Sequence, residues 1–348
     1  MIIKNIDIYL YSIPLISPLI TAGETFLRRE GFIISLRTNE FVGYGEIAPL
    51  PGFSSETKQH CLDAIEKIQN SISQTEIDFT INELFEIVDN HSNNIPSVKF
   101  GFETAVLDIA SQMSEIFLAQ YLNPNARNKI KVNALFGSSE IWDNPTVKIK
   151  IGIKPIEDEL ELLQMAKMKF GEQTSFRLDA NGSMDFQTAV KFCNDIQYFN
   201  IDYLEQPLPR KDLDGLAELR QQTDIQIAVD ESLTTLNSAQ NIIDKNSADV
   251  FVIKPMVSGG FRESQKIIDI AKQHKIRTVI TSSLETAIGR TAICHLIVAN
   301  EITEACGLDT GHLLSRDIAE FPKINNGELY LSNSPGLGIK HININNEF

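Results

Sequence analysis

From residue 130 onward, the chain alternates short apolar runs with longer stretches in which apolar residues recur three or four positions apart. Runs of the first kind favour strands and stretches of the second kind favour helices. The expected strands lie near 131–136, 146–151, 175–180, 202–205, 226–230, 249–254, 277–282 and 305–309, and the expected helices near 156–170, 185–197, 210–222, 235–246, 260–274 and 285–299. The interval from 137 to 145 is too short for a helix. The pattern therefore predicts an α/β fold, a (β/α)7β TIM-type barrel.

The first 125 residues have a different pattern, with one alternating strand over 2–12 and a hairpin formed by strands over 31–37 and 41–46. We expect 13–30 to be irregular, because it contains Pro14, Pro18 and Gly23. Helices are predicted over 55–72, 81–90 and 96–121. The sequence thus predicts an α+β capping domain over 1–125, completed by the tail 321–348, and a barrel domain over 126–320 that holds the active site.

Composition and charge narrow the class of protein. A chain of 348 residues is longer than one hydrophobic core usually serves, which agrees with two domains. The net charge of −15 argues against nucleic acid and anionic membranes as partners. The polar residues near the N-terminus are unlike a signal peptide, so we expect a cytoplasmic protein, and the sequence leaves room for a homo-oligomer. The four cysteines are expected to be reduced, and Trp142 is assigned to packing.

Charged residues stand at the ends of the predicted barrel strands. Lys150, Asp179, Glu205, Asp230 and Lys254 each follow an apolar run, and the last four are separated by 26, 25 and 24 residues. Barrel enzymes build their active sites at the carboxyl ends of the strands. Because adjacent strands are ~4.8 Å apart, three carboxylates on successive strands can converge on one cation. Oxygen ligands suit Mg²⁺, and we expect Mn²⁺ to substitute for it.

The lysines indicate the chemistry. Lys150 ends strand two and Lys254 ends strand six, which places them on opposite walls of an eight-stranded barrel. Removing a proton next to a carboxylate creates negative charge that a divalent cation stabilises. A lysine can act as the base near neutral pH when a neighbouring cation lowers its pKa, and Lys148 supplies such a neighbour. We therefore expect a small-molecule carboxylate substrate, with Lys150, Lys254 and Lys148 as catalytic residues.

Four more residues are predicted to contact the substrate, namely Arg177, Asn181, Ser282 and Ser283. Arg177 and Asn181 share a side of the strand with Asp179, since side chains alternate along a strand. The two serines end strand seven. Ion pairing is the alternative for Arg177, and ordinary turn hydrogen bonds are the alternative for the serines. We expect the loops 14–29 and 48–54 to cover the barrel mouth and exclude water.

The chain resembles the enolase superfamily, in its muconate-lactonising-like branch. The motifs that carry the resemblance are Lys148-Ile149-Lys150, Leu178-Asp179-Ala180-Asn181-Gly182, Leu204-Glu205-Gln206-Pro207, Val229-Asp230-Glu231-Ser232 and Ile253-Lys254-Pro255. The resemblance implies a capping domain over a (β/α)7β barrel. It also implies Mg²⁺ bound by Asp179, Glu205 and Asp230, with Lys150 and Lys254 flanking the reacting carbon.

Within that branch, residues 43–57 and 307–311 are similar to the o-succinylbenzoate synthases. This implies syn-dehydration of 2-succinyl-6-hydroxy-2,4-cyclohexadiene-1-carboxylate in menaquinone biosynthesis. The alternatives in the branch are an N-acylamino acid racemase or a dipeptide epimerase. The epimerases hold the substrate ammonium with an Asp-x-Asp pair after strand eight, whereas Asp309 is followed two positions on by Gly311. An alternative of another class, a non-catalytic barrel scaffold, is disfavoured by the complete set of lysines and carboxylates.

Overall fold

The structure is a computed structural model that describes residues 1–20, 25–73, 77–137 and 144–343. Trp142 lies outside the described residues, as does most of the interval from 137 to 145. The strands are β1 (Asn5–Ile20), β2 (Thr25–Arg37), β3 (Val42–Ile47), β4 (Lys129–Lys131), β5 (Ala134–Leu135), β6 (Thr146–Lys150), β7 (Ser175–Asp179), β8 (Ile201–Glu205), β9 (Ile227–Val229), β10 (Val250–Ile253), β11 (Arg277–Ile280) and β12 (Glu328–Tyr330). The helices are α1 (Lys58–Ser73), α2 (Ile81–His91), α3 (Pro96–Met113), α4 (Leu118–Leu122), α5 (Ile156–Phe170), α6 (Phe186–Ile196), α7 (Leu213–Gln222), α8 (Leu236–Asp244), α9 (Pro255–Ser258), α10 (Gly260–Gln273) and α11 (Ala287–Ala299).

The barrel prediction is confirmed. Strands β5 to β11 form one parallel sheet in chain order. Its two edges are joined by the segment at 306–307, because Cys306 bridges Val132 and Gly307 bridges Thr281, both in parallel. This eighth strand is shorter than the predicted 305–309. The Leu308 amide donates to the Cys306 carbonyl at 3.1 Å, which turns the chain away from the barrel.

The barrel helices follow the sequence pattern closely, and α5 has the predicted bounds. Local signals start them. Asp185 caps α6 by accepting the Thr188 amide, and Thr235 forms a capping box with Ser238 at the start of α8. Each helix then buries an apolar face, as α6 does with Phe192. Since every helix follows a strand, its N-terminus lies at the barrel mouth, where the site is built.

In the first part of the chain, β1, β2 and β3 form an antiparallel sheet. The expectation that 13–30 is irregular is wrong, since β1 and β2 continue through most of it and pair Pro14 with Arg28. The prolines are tolerated because β1 is an edge strand, where a missing amide costs no ladder hydrogen bond. The predicted helix over 96–121 also divides into α3 and α4, with Glu115 between them at φ 56°.

Glycines allow α3 to pack closely on this sheet. A side chain on Gly45 would overlap the Gly101 carbonyl, and one on Gly43 would overlap the Ala105 carbonyl. The tail returns along the same helix, where the Leu337 amide donates to Asp108 at 2.8 Å. We propose that the chain divides into a capping domain over 1–125 with 321–348 and a barrel domain over 126–320. None of the described helices has the length and apolar character needed to cross a bilayer.

Candidate active site

The predicted charged residues meet at one end of the barrel. In the sheet, Lys150 of β6 pairs in register with Asp179 of β7, which pairs with Glu205 of β8. Asp230 follows β9 directly, and Lys254 follows β10 as the N-cap residue of α9. The alignment results from parallel strands of equal period, so residues that end neighbouring strands share one rim. The structure therefore brings these residues together as the sequence predicts.

Two ammonium groups hold the carboxylates. Lys148 Nζ lies 2.9 Å from Asp179 Oδ2 and 2.8 Å from Glu205 Oε1. Lys254 Nζ pairs with Asp230 Oδ2. We call Lys148, Asp179, Glu205, Asp230 and Lys254 the mouth cluster. Lys150 differs from its members, because it is exposed at the end of its strand.

Burial and charge perturb the pKa values of the mouth cluster. Burial, followed by repulsion from Asp179, raises the pKa of the Glu205 carboxyl to about 8. Burial opposes charge on Lys148 as well, but attraction to Asp179 and Glu205 outweighs it and raises the pKa of that ammonium group. The same balance, with Asp230 as the main partner, raises the pKa of Lys254. Because Lys148 is compensated by two carboxylates, it is a weaker cationic neighbour of Lys150 than the sequence suggests.

Residues that sequence reasoning did not single out orient this cluster. Gln206 is fully buried, and its Oε1 accepts the amides of Asp230 at 3.2 Å and Ser232 at 3.1 Å. Its backbone is held at φ 41°, a left-handed conformation that favours glycine. Glu231 accepts the Asn181 side-chain amide at 2.9 Å. The sequence contains a signal for both residues, because Gln206 follows Glu205 and Glu231 follows Asp230 in the motifs quoted above.

Phe53 lies directly over the site. Its ring centroid is 4.0 Å from Lys254 Nζ, a cation–π distance. The loop over 48–54, which we call the lid loop, therefore covers the mouth, as predicted. The other predicted lid segment, 14–29, includes residues 21–24 outside the described residues. Its described part contacts the barrel, since Leu15 bridges Leu314 and the Ser315 amide donates to the Pro14 carbonyl at 2.9 Å.

The structure corrects the sequence interpretation of Arg177. Its guanidinium is buried and donates to Asp202 Oδ2 at 2.7 Å and to the Ala305 carbonyl, with Glu304 at 3.5 Å. These partners lie at the amino ends of their strands, on the face of the barrel opposite the mouth. The predicted substrate contact requires a guanidinium at the mouth, so Arg177 is left out of the site.

The other three predicted substrate contacts lie at the mouth. Asn181 follows β7, and its Oδ1 is buried without a hydrogen-bond partner among the described residues. Ser283 Oγ is also buried without a hydrogen-bond partner among the described residues, whereas Ser282 Oγ forms a hydrogen bond with Thr310 Oγ1 at 2.7 Å. Buried polar atoms that stay unpaired cost free energy unless a ligand or water satisfies them. Asn181 and Ser283 therefore have hydrogen-bonding capacity to offer, while Ser282 has less.

The donor chemistry of the mouth cluster fits a hard divalent cation. It offers three carboxylates on successive strands, and Glu205 Oε2 is buried without a partner among the described residues. Oxygen donors of this kind suit Mg²⁺. In the part of the chain that the structure describes, no group of three or more acidic, histidine or cysteine side chains is already arranged as a metal shell. A cation would favour the ionised form of Glu205, whose pKa is raised by burial and by repulsion from Asp179.

Two family models match the chain. One, described as enolase C-terminal domain-like, matches residues 141–342, and one described as the MenC N-terminal domain matches residues 3–109. The o-succinylbenzoate synthase of Thermosynechococcus vestitus is 31% identical, over 86% of this chain and 90% of that protein. Muconate cycloisomerase 1 of Acinetobacter baylyi is 27% identical, over 97% and 96%.

Solved structures agree on the fold. A dipeptide epimerase from Enterococcus faecalis, in complex with Mg and the dipeptide L-Leu-L-Tyr, superposes with a TM-score of 0.87 at 28% identity. The superposition covers 98% of this chain and 100% of that one. The o-succinylbenzoate synthase and the dipeptide epimerase are thus similar to this chain to a comparable degree.

Proposed function

Because the chain belongs to the enolase superfamily, we propose that it is a Mg²⁺-dependent o-succinylbenzoate synthase. Its reaction would be the syn-dehydration of 2-succinyl-6-hydroxy-2,4-cyclohexadiene-1-carboxylate. The observation that carries this choice is the MenC-type match over residues 3–109. The barrel residues are common to dehydratases and epimerases, whereas the first domain supplies the lid and therefore the part of the pocket that distinguishes substrates.

The metal would be held by Asp179, Glu205 and Asp230. When bound, Mg²⁺ would stabilise the negative charge that develops on the substrate carboxylate as the neighbouring carbon loses its proton. The Mg present in the E. faecalis epimerase supports this assignment. Gln206 supports it too, because its hydrogen bond fixes the backbone from which Asp230 projects.

The two flanking lysines have different roles in this proposal. Lys150 takes the proton from the carbon next to the carboxylate. It then returns that proton to the departing hydroxyl on the same face, so the products are the aromatic acid and water. Lys254 faces the other side, where its positive charge stabilises the developing negative charge. Asn181 and Ser283 would hydrogen-bond the substrate through their unpaired oxygens.

A racemase or epimerase is the second candidate, favoured by the retention of both lysines and by the E. faecalis relative. Two bases on opposite faces are needed for racemisation, but only one for syn-elimination. Asp309 contacts His312 at 3.3 Å and has no second aspartate two positions on. This departure from the epimerase pair disfavours a dipeptide substrate.

The deciding experiment is turnover of the cyclohexadiene substrate beside a panel of N-acyl amino acids and dipeptides, with Lys150→Arg and Lys254→Arg as matched variants. Arginine keeps the charge but stays protonated, so it cannot act as a base. We expect Lys150→Arg to abolish dehydration and Lys254→Arg to retain part of it. Equal loss in both variants, with fold and Mg²⁺ binding intact, would contradict the one-base assignment. Lys254→Ala controls for the larger size of arginine.

A further inference from the structure

A second buried charged group joins the first domain to the barrel, away from the mouth cluster. We call Tyr11, Arg29, Glu46 and Glu285 the seam cluster. The exposed fraction of each residue is at most 4%. Tyr11, Arg29 and Glu46 come from the three strands of the first sheet, and Glu285 comes from the loop that leads from β11 to α11. None of these four residues takes part in the chemistry proposed above.

Glu46 holds the start of α11. Its carboxylate accepts the Thr286 amide at 3.0 Å, the Thr286 hydroxyl at 2.7 Å and the Gly289 amide at 2.9 Å. The Tyr11 hydroxyl donates to its other side at 2.6 Å. A carboxylate at a helix N-terminus is stabilised by the unpaired amides and by the helix dipole. The contact fixes β3, which leads into the lid loop, against the helix that follows the Ser282–Ser283 segment.

Arg29 ties the lid loop to the barrel more directly. Its guanidinium donates to the Ala48 carbonyl at 2.6 Å, to the Pro49 carbonyl at 2.8 Å and to the Leu284 carbonyl at 3.1 Å. Ala48 and Pro49 begin the lid loop, and Leu284 follows the barrel serines. Leu284 is held at φ 65°, a conformation that a branched side chain rarely adopts without support. One planar guanidinium that bonds both segments therefore sets the separation between the lid loop and the β11–α11 loop.

The lid loop needs such a restraint, because a cavity lies beside it. This cavity has a volume of about 420 Å³ and is lined by Arg29, Pro49, Gly52 and Leu284, among others. Gly52 also lines the small pocket in which Phe53 meets Lys254. A loop with open space on one side and Lys254 on the other has room to shift. Arg29 limits that shift through its hydrogen bonds to the first two carbonyls of the lid loop, those of Ala48 and Pro49.

We propose that Arg29 is a positioning residue that fixes the lid loop over Lys254 and aligns it with Ser283. It acts through the backbone of Ala48, Pro49 and Leu284 and does not touch the reacting atoms. For its effect on turnover the proposal rests on the proposed function, but its effect on the loop does not. The Phe53 and Ser54 amides both donate to the Leu50 carbonyl at 3.2 Å. Hydrogen exchange at these two amides therefore measures how well the lid loop is ordered.

The test compares hydrogen exchange of the segment 48–57 in the wild-type protein, Arg29→Lys and Arg29→Gln. We expect exchange at Phe53 and Ser54 to be at least about tenfold faster in Arg29→Gln, with partial rescue by lysine, because an ammonium satisfies fewer of the three carbonyls. Arg37→Gln is the matched control. It lies on the same strand but pairs with Asp7 near the far end, so it should leave the segment unchanged.

Kinetics supply the second readout. With whichever substrate the wild-type enzyme turns over, we expect Arg29→Gln to lower kcat at least about tenfold at a temperature where it is folded. Its Mg²⁺ affinity should stay within twofold, because the mouth cluster is untouched. Unchanged exchange at 48–57 together with an unchanged kcat would overturn the proposal. If no member of the panel is turned over by the wild type, the proposed function fails, and exchange alone decides the role of Arg29.

Discussion

The mouth cluster and the seam cluster are both built on buried carboxylates, but Glu205 of the mouth and Glu46 of the seam differ in how their oxygens are satisfied. In the seam, Glu46 receives hydrogen bonds from two amides and two hydroxyls, so both oxygens are fully used. At the mouth, Glu205 receives one bond from Lys148, and its second oxygen is buried without a partner among the described residues. The first arrangement resembles a helix cap, and the second resembles a binding site.

The difference has a physical consequence for what each cluster can do. A carboxylate saturated by backbone amides has no capacity for a ligand, but it fixes two elements relative to each other. A buried carboxylate lowers the stability of the fold when one oxygen is unsatisfied and its ammonium partner can be displaced. Binding of a ligand to that oxygen restores the lost stability. We therefore expect substitutions in the mouth cluster to change metal binding and activity, and substitutions of the seam carboxylates to change stability.

The largest expected effect is that of Asp230→Asn. Asparagine keeps the shape but removes the charge, so Mg²⁺ affinity should fall by at least about 100-fold, with activity falling alongside it. The midpoint of thermal unfolding should move by no more than about 3 °C, because the variant loses the pairing of Asp230 with Lys254 but also loses the repulsion between Asp230 and Glu205. Titration calorimetry with Mg²⁺ and differential scanning calorimetry measure the two quantities.

The matched control is Asp202→Asn at the opposite face of the barrel. Asp202 is the ion-pair partner of Arg177 and Arg277, so its loss should lower stability and leave Mg²⁺ affinity unchanged. If Asp230→Asn binds Mg²⁺ normally while Asp202→Asn does not, the metal site has been placed at the wrong end of the barrel.

The sequence predicted the mouth cluster and missed the seam cluster, and the reason is the range of the interactions. Strand ends recur with the period of the βα unit, so Asp179 and Glu205 could be placed on one rim without coordinates. The bond from Arg29 to Leu284 joins residues 255 positions apart. No local pattern encodes such a pair, because the position of the first sheet on the barrel depends on the whole interface.

The predictions for residues 13–30 and for Arg177 were wrong for the same reason, because contacts distant in sequence decide both structures. Pro14 and Pro18 are local signals for irregular structure, but pairing with β2 keeps that segment in the sheet up to Pro14, and again after the register shift. Side-chain alternation placed Arg177 on the inner side of its strand. It could not show that the guanidinium would extend towards Asp202 and away from the mouth.

A smaller effect is expected from Gly289→Ala, which probes the seam from within α11. In most helix interiors this change stabilises by about 1 kcal/mol. Here the new methyl group would lie 2.7 Å from Glu285 and 2.8 Å from Glu46 Oε2. We expect a net loss of about 2 kcal/mol in the free energy of unfolding, measured with urea. Mg²⁺ affinity should be unchanged. A stabilised variant would mean that Glu46 does not hold the helix tightly.

The most specific effect concerns the pH dependence of stability in Glu285→Gln. Burial, followed by the charge of Glu46, raises the pKa of the Glu285 carboxyl from 4.5 to about 7. The folded protein therefore binds a proton that the unfolded chain has lost between these values, and this contribution to stability disappears as the pH rises from about 4.5 through about 7. Glutamine is neutral throughout and accepts the Ser283 amide equally well. We expect the variant to match the wild type at pH 4.5 and to be more stable by about 3 kcal/mol at pH 8, since a pKa difference of one corresponds to about 1.4 kcal/mol.

Arg29 and Tyr11 also affect the size of this pKa shift, because both face the Glu285 carboxyl. Arg29 attracts its charge and so limits the rise of the pKa, whereas Tyr11 stays neutral, since burial and Glu46 raise its own pKa. Urea unfolding at a series of pH values measures the difference between wild type and variant, which cancels the other titrating groups. Glu66→Gln, at an exposed position on α1, should follow the wild-type curve. A constant difference between Glu285→Gln and wild type would show that the pKa of the Glu285 carboxyl is not raised in the folded protein. Arg29 would then balance both carboxylates of the seam, and its replacement should destabilise the fold more strongly than it loosens the lid.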